Sequence, residues 1–125
     1  MSDIFVYGTL LQGESNHVFL AGAKFLGIDQ LTNAQLFDLG NYPMVVPGEG
    51  LVLGEVYRIS PAILQKLDIL EEHPDYYQRS LVTLQSSHVA FAYWGRADLV
   101  IGCSVITSGS WPDRLNFHQD FMKNS

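Results

Sequence analysis

The sequence predicts an α+β protein, a small mixed β-sheet or β-barrel with a few flanking helices packed outside it. Apolar runs of strand length, bounded by turn residues, outnumber helical patterns along the chain. Only residues 60–72 carry a well-formed amphipathic helical pattern. The length of 125 residues suits one domain, residues 1–125, around one core. No internal repeat, low-complexity tract or linker interrupts it.

The elements follow in order. IFVYG at residues 4–8 is a short apolar run ending in glycine, the pattern of a strand buried on both faces. ESNHVFLAG at 14–22 is compatible with a short helix or a turn. KFLGI at 24–28 and NAQLFDLG at 33–40 read as strands broken by turn residues. NYPMVVPGEG at 41–50 holds two prolines and two glycines and reads as largely loop. LVLGEVYRI at 51–59 is a strand whose partial alternation suits a sheet burying much of both faces. YQRSLVTLQ and HVAFAYWGR form a hairpin around Ser86 and Ser87. A final short helix is expected in the tail SWPDRLNFHQDFMK, starting near Pro112.

The helix over 60–72 has a good N-cap in Ser60 and a proline, Pro61, at its first position. At about 100° per residue, Ile63, Leu64, Leu67 and Leu70 fall within one arc of about 120°. Glu71 lies inside that arc. Asp68, Glu72 and Gln65 fall on the opposite, polar side. The paired acids Glu71 and Glu72 therefore separate: Glu72 reads as solvated surface, and Glu71 points toward the core or a cavity in it. A carboxylate on an apolar face at a helix C-terminus has its pKa raised by desolvation and by the negative end of the helix dipole. Such a group suits general-base chemistry near neutral pH. The alternative is a structural bridge from Glu71 to Arg79 or Arg58, and periodicity alone does not choose between the two.

Composition removes several function classes. Hydrophobic residues make up 47% and charged residues 16%, the balance of a globular chain. The net charge of −6, with no basic run, argues against nucleic acid or an anionic membrane as partner. The N-terminus shows no signal-peptide pattern, and the stretch LVIGCSVI is far short of the roughly 18 residues a membrane helix needs. Cys103 is the single cysteine, which fits a reducing cytoplasm. It reads as a small core thiol, since a nucleophile would need a base partner. His17, His73, His88 and His118 lack metal-ligand spacing and read as loop or surface residues. Trp94 and Trp111 read as packing groups, Arg79 as a structural brace and Tyr93 as core with an option of a cavity-facing hydroxyl.

VYGTLLQG at 6–13 runs a buried strand into a polar turn. Gly8, lacking a side chain, lets the backbone approach a ligand closely. Successive N–H groups past a strand end can form an anion-binding nest, which would hold a carboxylate without a basic side chain.

Five motifs in order resemble the gamma-glutamyl cyclotransferase-like family, in particular its gamma-glutamylamine cyclotransferase branch. VYGTL followed by QGESNH is similar to the family's opening strand, signature loop and Asn-His. NYPMVVPG resembles its Tyr-Pro-x-x-Val-Pro loop, and VLGEVYRI its Gly-Glu-Val-Tyr strand. LDILEEHPDYYQR resembles the Leu-Asp-x-x-Glu-Gly-x-Pro-x-x-Tyr-x-Arg signature, and ITSGSW the C-terminal Ser-Gly-x-Trp. The resemblance spans nearly the whole chain. It implies a mini-barrel of mixed strands with flanking helices, a small-molecule gamma-glutamyl substrate, and release of 5-oxoproline without metal, nucleotide or redox cofactor. It places the catalytic glutamate on Glu71 and the substrate loop on Tyr7, Gly8, Thr9 and Leu10. Asn16 and His17 match the family loop and are assigned to loop structure first. One departure stands out: Glu72 occupies a position where many members have glycine. Glycine would close the helix in the left-handed conformation, so this helix is expected to stop differently, near His73 and Pro74. The other function class is a non-enzymatic module that binds a small carboxylate on the same fold.

Overall fold

The structure, a computed structural model, describes residues 1–115. Six strands form one mixed sheet: β1 (Ser2–Val6), β2 (Lys24–Asp38), β3 (Pro43–Ile59), β4 (Gln78–Thr83), β5 (Val89–Trp94) and β6 (Ser104–Val105). Their spatial order is β4-β5-β1-β3-β2-β6. β1 runs parallel to β5 and antiparallel to β3, so it lies inside the sheet. That position buries Ile4, Phe5 and Val6 in succession, as the unbroken apolar run requires.

β2 and β3 are longer than the sequence pattern suggests. The turn residues between KFLGI and NAQLFDLG do not break the strand; they form bulges, at Phe25/Gly27 and Thr32/Ala34. Asn33 takes a φ of 56°, a left-handed value that asparagine tolerates. NYPMVVPGEG is not largely loop. Pro43 to Pro47 pair with Asp38 to Ala34, the turn at residues 39–42 precedes them, and residues 48–50 bulge out of the ladder before pairing resumes at Leu51. Pro43 begins the strand and Pro47 ends the paired run at the bulge, the positions where a missing N–H matters least. The bulges bend the hairpin, and hydrogen bonds hold the bend. Gly95 N–H donates to Val45 O at 2.8 Å, and Gln85 N–H donates to Gln30 O at 2.9 Å. The sheet curls into a half-barrel with β4 and β6 as its edges.

The helix α1 spans Pro61–Leu70, and Ser60 Oγ accepts the Ile63 N–H at 3.2 Å. Leu67 is fully buried, while Ile63, Leu64 and Leu70 pack against the same core. A short 3₁₀ turn, His17–Leu20, answers the predicted element at 14–22. A second covers Ala97–Val100. Residues 112–115 form a turn, and the remainder of the predicted C-terminal helix lies outside the described residues. Among the described residues no helix is long and apolar enough to cross a membrane.

The helix stop corrects one expectation. Glu72 itself takes the left-handed conformation, with φ 54°. Its N–H donates to Ile69 O at 3.2 Å and the His73 N–H to Asp68 O at 2.9 Å. These two bonds are those of the Schellman motif, with glutamate in the glycine position. The ending that glycine would provide is therefore kept, at the cost of a Cβ clash. Glu72→Gly should raise thermal stability by about 1 kcal/mol, or about 3–5 °C in Tm. Removing a negative charge from the carbonyl end of the helix acts in the same direction. A thermal melt of the folded variant checks this, and a lowered Tm would contradict it.

Candidate active site

The bent hairpin, the end of β1 and the end of α1 enclose a cavity of about 340 Å³. Its floor is Phe5, Val6 and Tyr7. One wall is the loop Gly8, Thr9 and Leu10; another is Leu70, Glu71 and Glu72; Tyr42, Pro43, Tyr76, Tyr77 and Tyr93 close the rest. All five site residues expected from the sequence, Glu71 and Tyr7 to Leu10, line this one cavity. Among the described residues no lysine, arginine or histidine does.

Glu71 is the C-cap of α1, just past Leu70, so the last apolar turn aims it inward. The bridges that would have made it structural are formed elsewhere. Arg79 makes two bonds of 2.9 Å to the Asp68 carboxylate, and Arg58 binds Asp3. Among the described residues the Glu71 carboxylate has no hydrogen-bond or ion-pair partner. Burial pushes its pKa up to about 7 from the usual 4.5. Asp68, placed on the polar side by periodicity, is not simply solvated. The Arg79 guanidinium, helped by the Tyr93 hydroxyl at 2.7 Å, holds it below the ordinary carboxylate range against the effect of burial.

The loop after β1 is held from outside the cavity. Asn16 donates through Nδ2 to Thr9 Oγ1 at 3.0 Å and through its backbone N–H to Thr9 O at 2.8 Å. His17 Nδ1 lies 2.9 Å from Leu10 O. These are the loop roles expected of Asn16 and His17. No described hydrogen bond uses the N–H of Gly8, Thr9 or Leu10 as donor, so three successive donors are unused among the described residues. Gly8 also serves a contact that the sequence does not suggest. A Cβ there would sit 2.5 Å from Pro43 Cγ and 2.8 Å from Pro43 Cδ. Glycine lets the backbone approach Pro43, and so brings the hairpin arm against the loop.

A family model described as gamma-glutamyl cyclotransferase, AIG2-like, matches residues 4–113. The chain belongs to this family. It is 42% identical over 112 residues to the gamma-glutamylcyclotransferase family protein YtfP of Escherichia coli, covering 89% of this chain and 96% of that one. The solution structure of the Escherichia coli protein ytfP superposes with a TM-score of 0.70, covering 90% of this chain and 97% of that one. A crystal structure of an AIG2-like protein from Mus musculus matches with TM-score 0.78 at 29% identity, covering 89% and 88% of the two chains. Fold and family thus agree with a gamma-glutamyl cyclotransferase-like function.

Within this family frame, the cavity holds tyrosines that sequence reasoning did not gather. Tyr7 OH donates to Tyr93 O at 2.6 Å and Tyr77 OH to Pro43 O at 2.6 Å. Tyr42 and Tyr76 share a 2.6 Å bond between their hydroxyls. Burial raises the pKa of Tyr7, Tyr77 and Tyr93, and the charge of Glu71 adds to each shift. These phenols stay neutral around the acid. Tyr93 is core, as expected, and its hydroxyl reaches Asp68. Tyr42 and Tyr76 lie in loop and turn sequence with no periodicity; the Tyr-Pro motif contains Tyr42, but nothing local brings it to Tyr76. Cys103 and Trp94 are partly buried against the core, and Trp111 is buried. His73 Nδ1 accepts the Arg79 N–H at 3.0 Å, and His88 binds Asp3 at 2.7 Å. Among the described residues no cluster could hold a metal ion; His118 lies outside them.

Two outcomes follow from this geometry. Gly8→Ala should destabilise the protein by about 1–3 kcal/mol, as overpacking does. Adding Pro43→Ala removes the colliding ring atoms, so the double variant should lose less than the sum of the singles. Denaturant melts of all four proteins test this, and strict additivity would separate Gly8 from Pro43. The second outcome concerns Glu71. Below about pH 4.5 it is protonated in both states; between 4.5 and about 7 only the unfolded state is charged; above 7 both are. Its burial therefore removes stability progressively as pH rises from 4.5 to 7. Glu71→Gln should melt higher than the parent chain, by a margin that widens across that window and then levels. A margin independent of pH would mean that Glu71 is not desolvated.

Proposed function

We propose that the protein converts a gamma-glutamyl amine or gamma-glutamyl amino acid into 5-oxoproline and the free amine, with Glu71 as general acid/base. The observation that supports this most is a carboxylate without a partner among the described residues, its pKa near 7, in a cavity also lined by a loop whose N–H groups donate to no described partner. The reading also takes residues 1–125 as one catalytic domain working in the cytoplasm.

The reaction suits such a site. In a gamma-glutamyl amide the α-nitrogen, three chain carbons and the γ-carbonyl carbon make up a five-membered ring once the nitrogen attacks. The N–C bond forms, the carbonyl becomes an oxyanion, and collapse breaks the bond to the leaving nitrogen. The reaction is an intramolecular acyl transfer, so no electron or outside group is consumed. Two protons move in turn from the α-nitrogen to the leaving nitrogen. Glu71 takes the first from the ammonium, which otherwise cannot attack, and delivers it to the departing amine. With a pKa near 7, Glu71 can do both near neutrality. The N–H groups of Gly8, Thr9 and Leu10 hold the α-carboxylate, which suits a cavity without cationic side chains among the described residues. Tyr7 supports the floor beneath them.

Glu71→Gln keeps the size of the side chain but cannot carry the proton. 5-Oxoproline release should fall by about 10²–10⁴-fold, mainly in kcat, with a modest change in substrate binding. In the parent chain kcat/KM should rise with pH through about 7 as Glu71 loses its proton. Acetylating the substrate's α-amine should abolish turnover. A glutamine variant as active as the parent would overturn the role of Glu71, and turnover of the acetylated amide would indicate hydrolysis instead.

A further inference from the structure

Two physical effects oppose a glutamate at position 72. Its backbone is left-handed, at φ 54°. Its charge sits at the carbonyl end of α1, where the helix dipole is negative. The Schellman hydrogen bonds hold the backbone in that conformation, but they would serve glycine equally well, and the Glu72 carboxylate has no hydrogen-bond or ion-pair partner among the described residues. The helix ending requires a left-handed residue and not a glutamate, so the choice of side chain points to use elsewhere.

The location suggests that use. The cavity grades from a buried floor, Phe5, Val6, Tyr7, Tyr77 and Tyr93, through half-buried Glu71, to an exposed rim. Glu72 stands on that rim beside Tyr42 and Tyr76, whose rings meet edge to face with centroids 6.3 Å apart. The Glu72 charge is felt at the Tyr76 phenol, whose pKa is pushed up to about 12 chiefly by burial and the bond with Tyr42. A carboxylate beside two aromatic rings, with no cation lining the cavity among the described residues, is a favourable setting for an ammonium group. The net charge of −6 strengthens the attraction.

The next step rests on the cyclotransferase reading. The scissile amide must lie at Glu71 and the glutamyl part must reach the loop at 8–10, so the departing amine points to the rim. We infer that Glu72 is a specificity-determining residue that selects leaving amines carrying a second positive charge at their far end. The preferred substrates are then gamma-glutamyl amides of diamines or of amines with a terminal cation.

Three matched gamma-glutamyl amides test this: one whose leaving amine ends in an ammonium, its methyl-terminated isostere and its carboxylate-terminated analogue. An exposed charge contact contributes little, so kcat/KM should favour ammonium over methyl by about two- to fivefold at low salt. The carboxylate should be the poorest of the three. The preference should shrink as salt screens it. Glu72→Gln should bring the ammonium-to-methyl ratio to about one, and Glu72→Lys should reverse the order toward carboxylate. A parent chain without preference, or a ratio unchanged in Glu72→Gln, would overturn the assignment. A binding arm separates this from the reaction itself: dissociation constants for the same amides, by calorimetry, on Glu71→Gln with and without Glu72→Gln. If the parent releases no 5-oxoproline from any amide, the cyclotransferase reading fails. The binding ratio then decides alone: a preference for the ammonium that Glu72→Gln removes supports cation selection, and equal affinities overturn it.

Discussion

The bend in the β2–β3 hairpin is the constraint on which the site depends. Without it the far arm of the hairpin would continue the sheet, and the end of β1 would open to solvent. Bulges at Phe25/Gly27 and Thr32/Ala34 permit the bend. It is held by buried contacts: the Tyr77 hydroxyl on Pro43 O, the Gly95 N–H on Val45 O, and the bare Gly8 backbone against the Pro43 ring. A buried carbonyl left unpaired would cost about 1–3 kcal/mol. The bend and its polar contacts therefore form together. The cavity is the space that remains between the bent arm, the loop after β1 and the end of α1.

That space treats its carboxylates in opposite ways. Asp68 and Glu71 are one helical turn apart, yet Asp68 is held ionised by Arg79 and Tyr93 while Glu71 is left without a partner. Using up Arg79 on Asp68 has two consequences: it anchors β4 to the helix, and it keeps a cation away from Glu71. A cationic partner would lower the Glu71 pKa and remove its value as a base. Tyr7, Tyr77 and Tyr93 donate their protons to backbone carbonyls or to Asp68, so they shape the cavity without neutralising the acid.

Sequence reasoning recovered the local elements and misjudged the long ones. α1, its Ser60 cap and the direction of Glu71 follow from a period of 3.6 and a capping rule, both of which act within a few residues. The β4–β5 hairpin and the buried β1 were legible for the same reason. The stretch at 41–50 was misread because its prolines and glycines are loop signals in general, whereas here they mark the first residue and the bulge of a strand. Glu72 was expected to displace the helix ending, but the two Schellman hydrogen bonds outweigh the left-handed strain of its Cβ.

By itself, the sequence determined which acid faces inward, where the helix begins, and, through ordered motifs, the family. These are properties of short-range periodicity and of residue identity. Only the tertiary structure decided that Arg79 goes to Asp68 and not to Glu71, that Gly8 faces Pro43, and that Tyr42, Tyr76 and Tyr77 gather around the acid. Each of these depends on which surfaces the bent hairpin brings together from distant parts of the chain. Pairing between residues as far apart as Tyr7 and Tyr93 leaves no periodic trace in a single sequence.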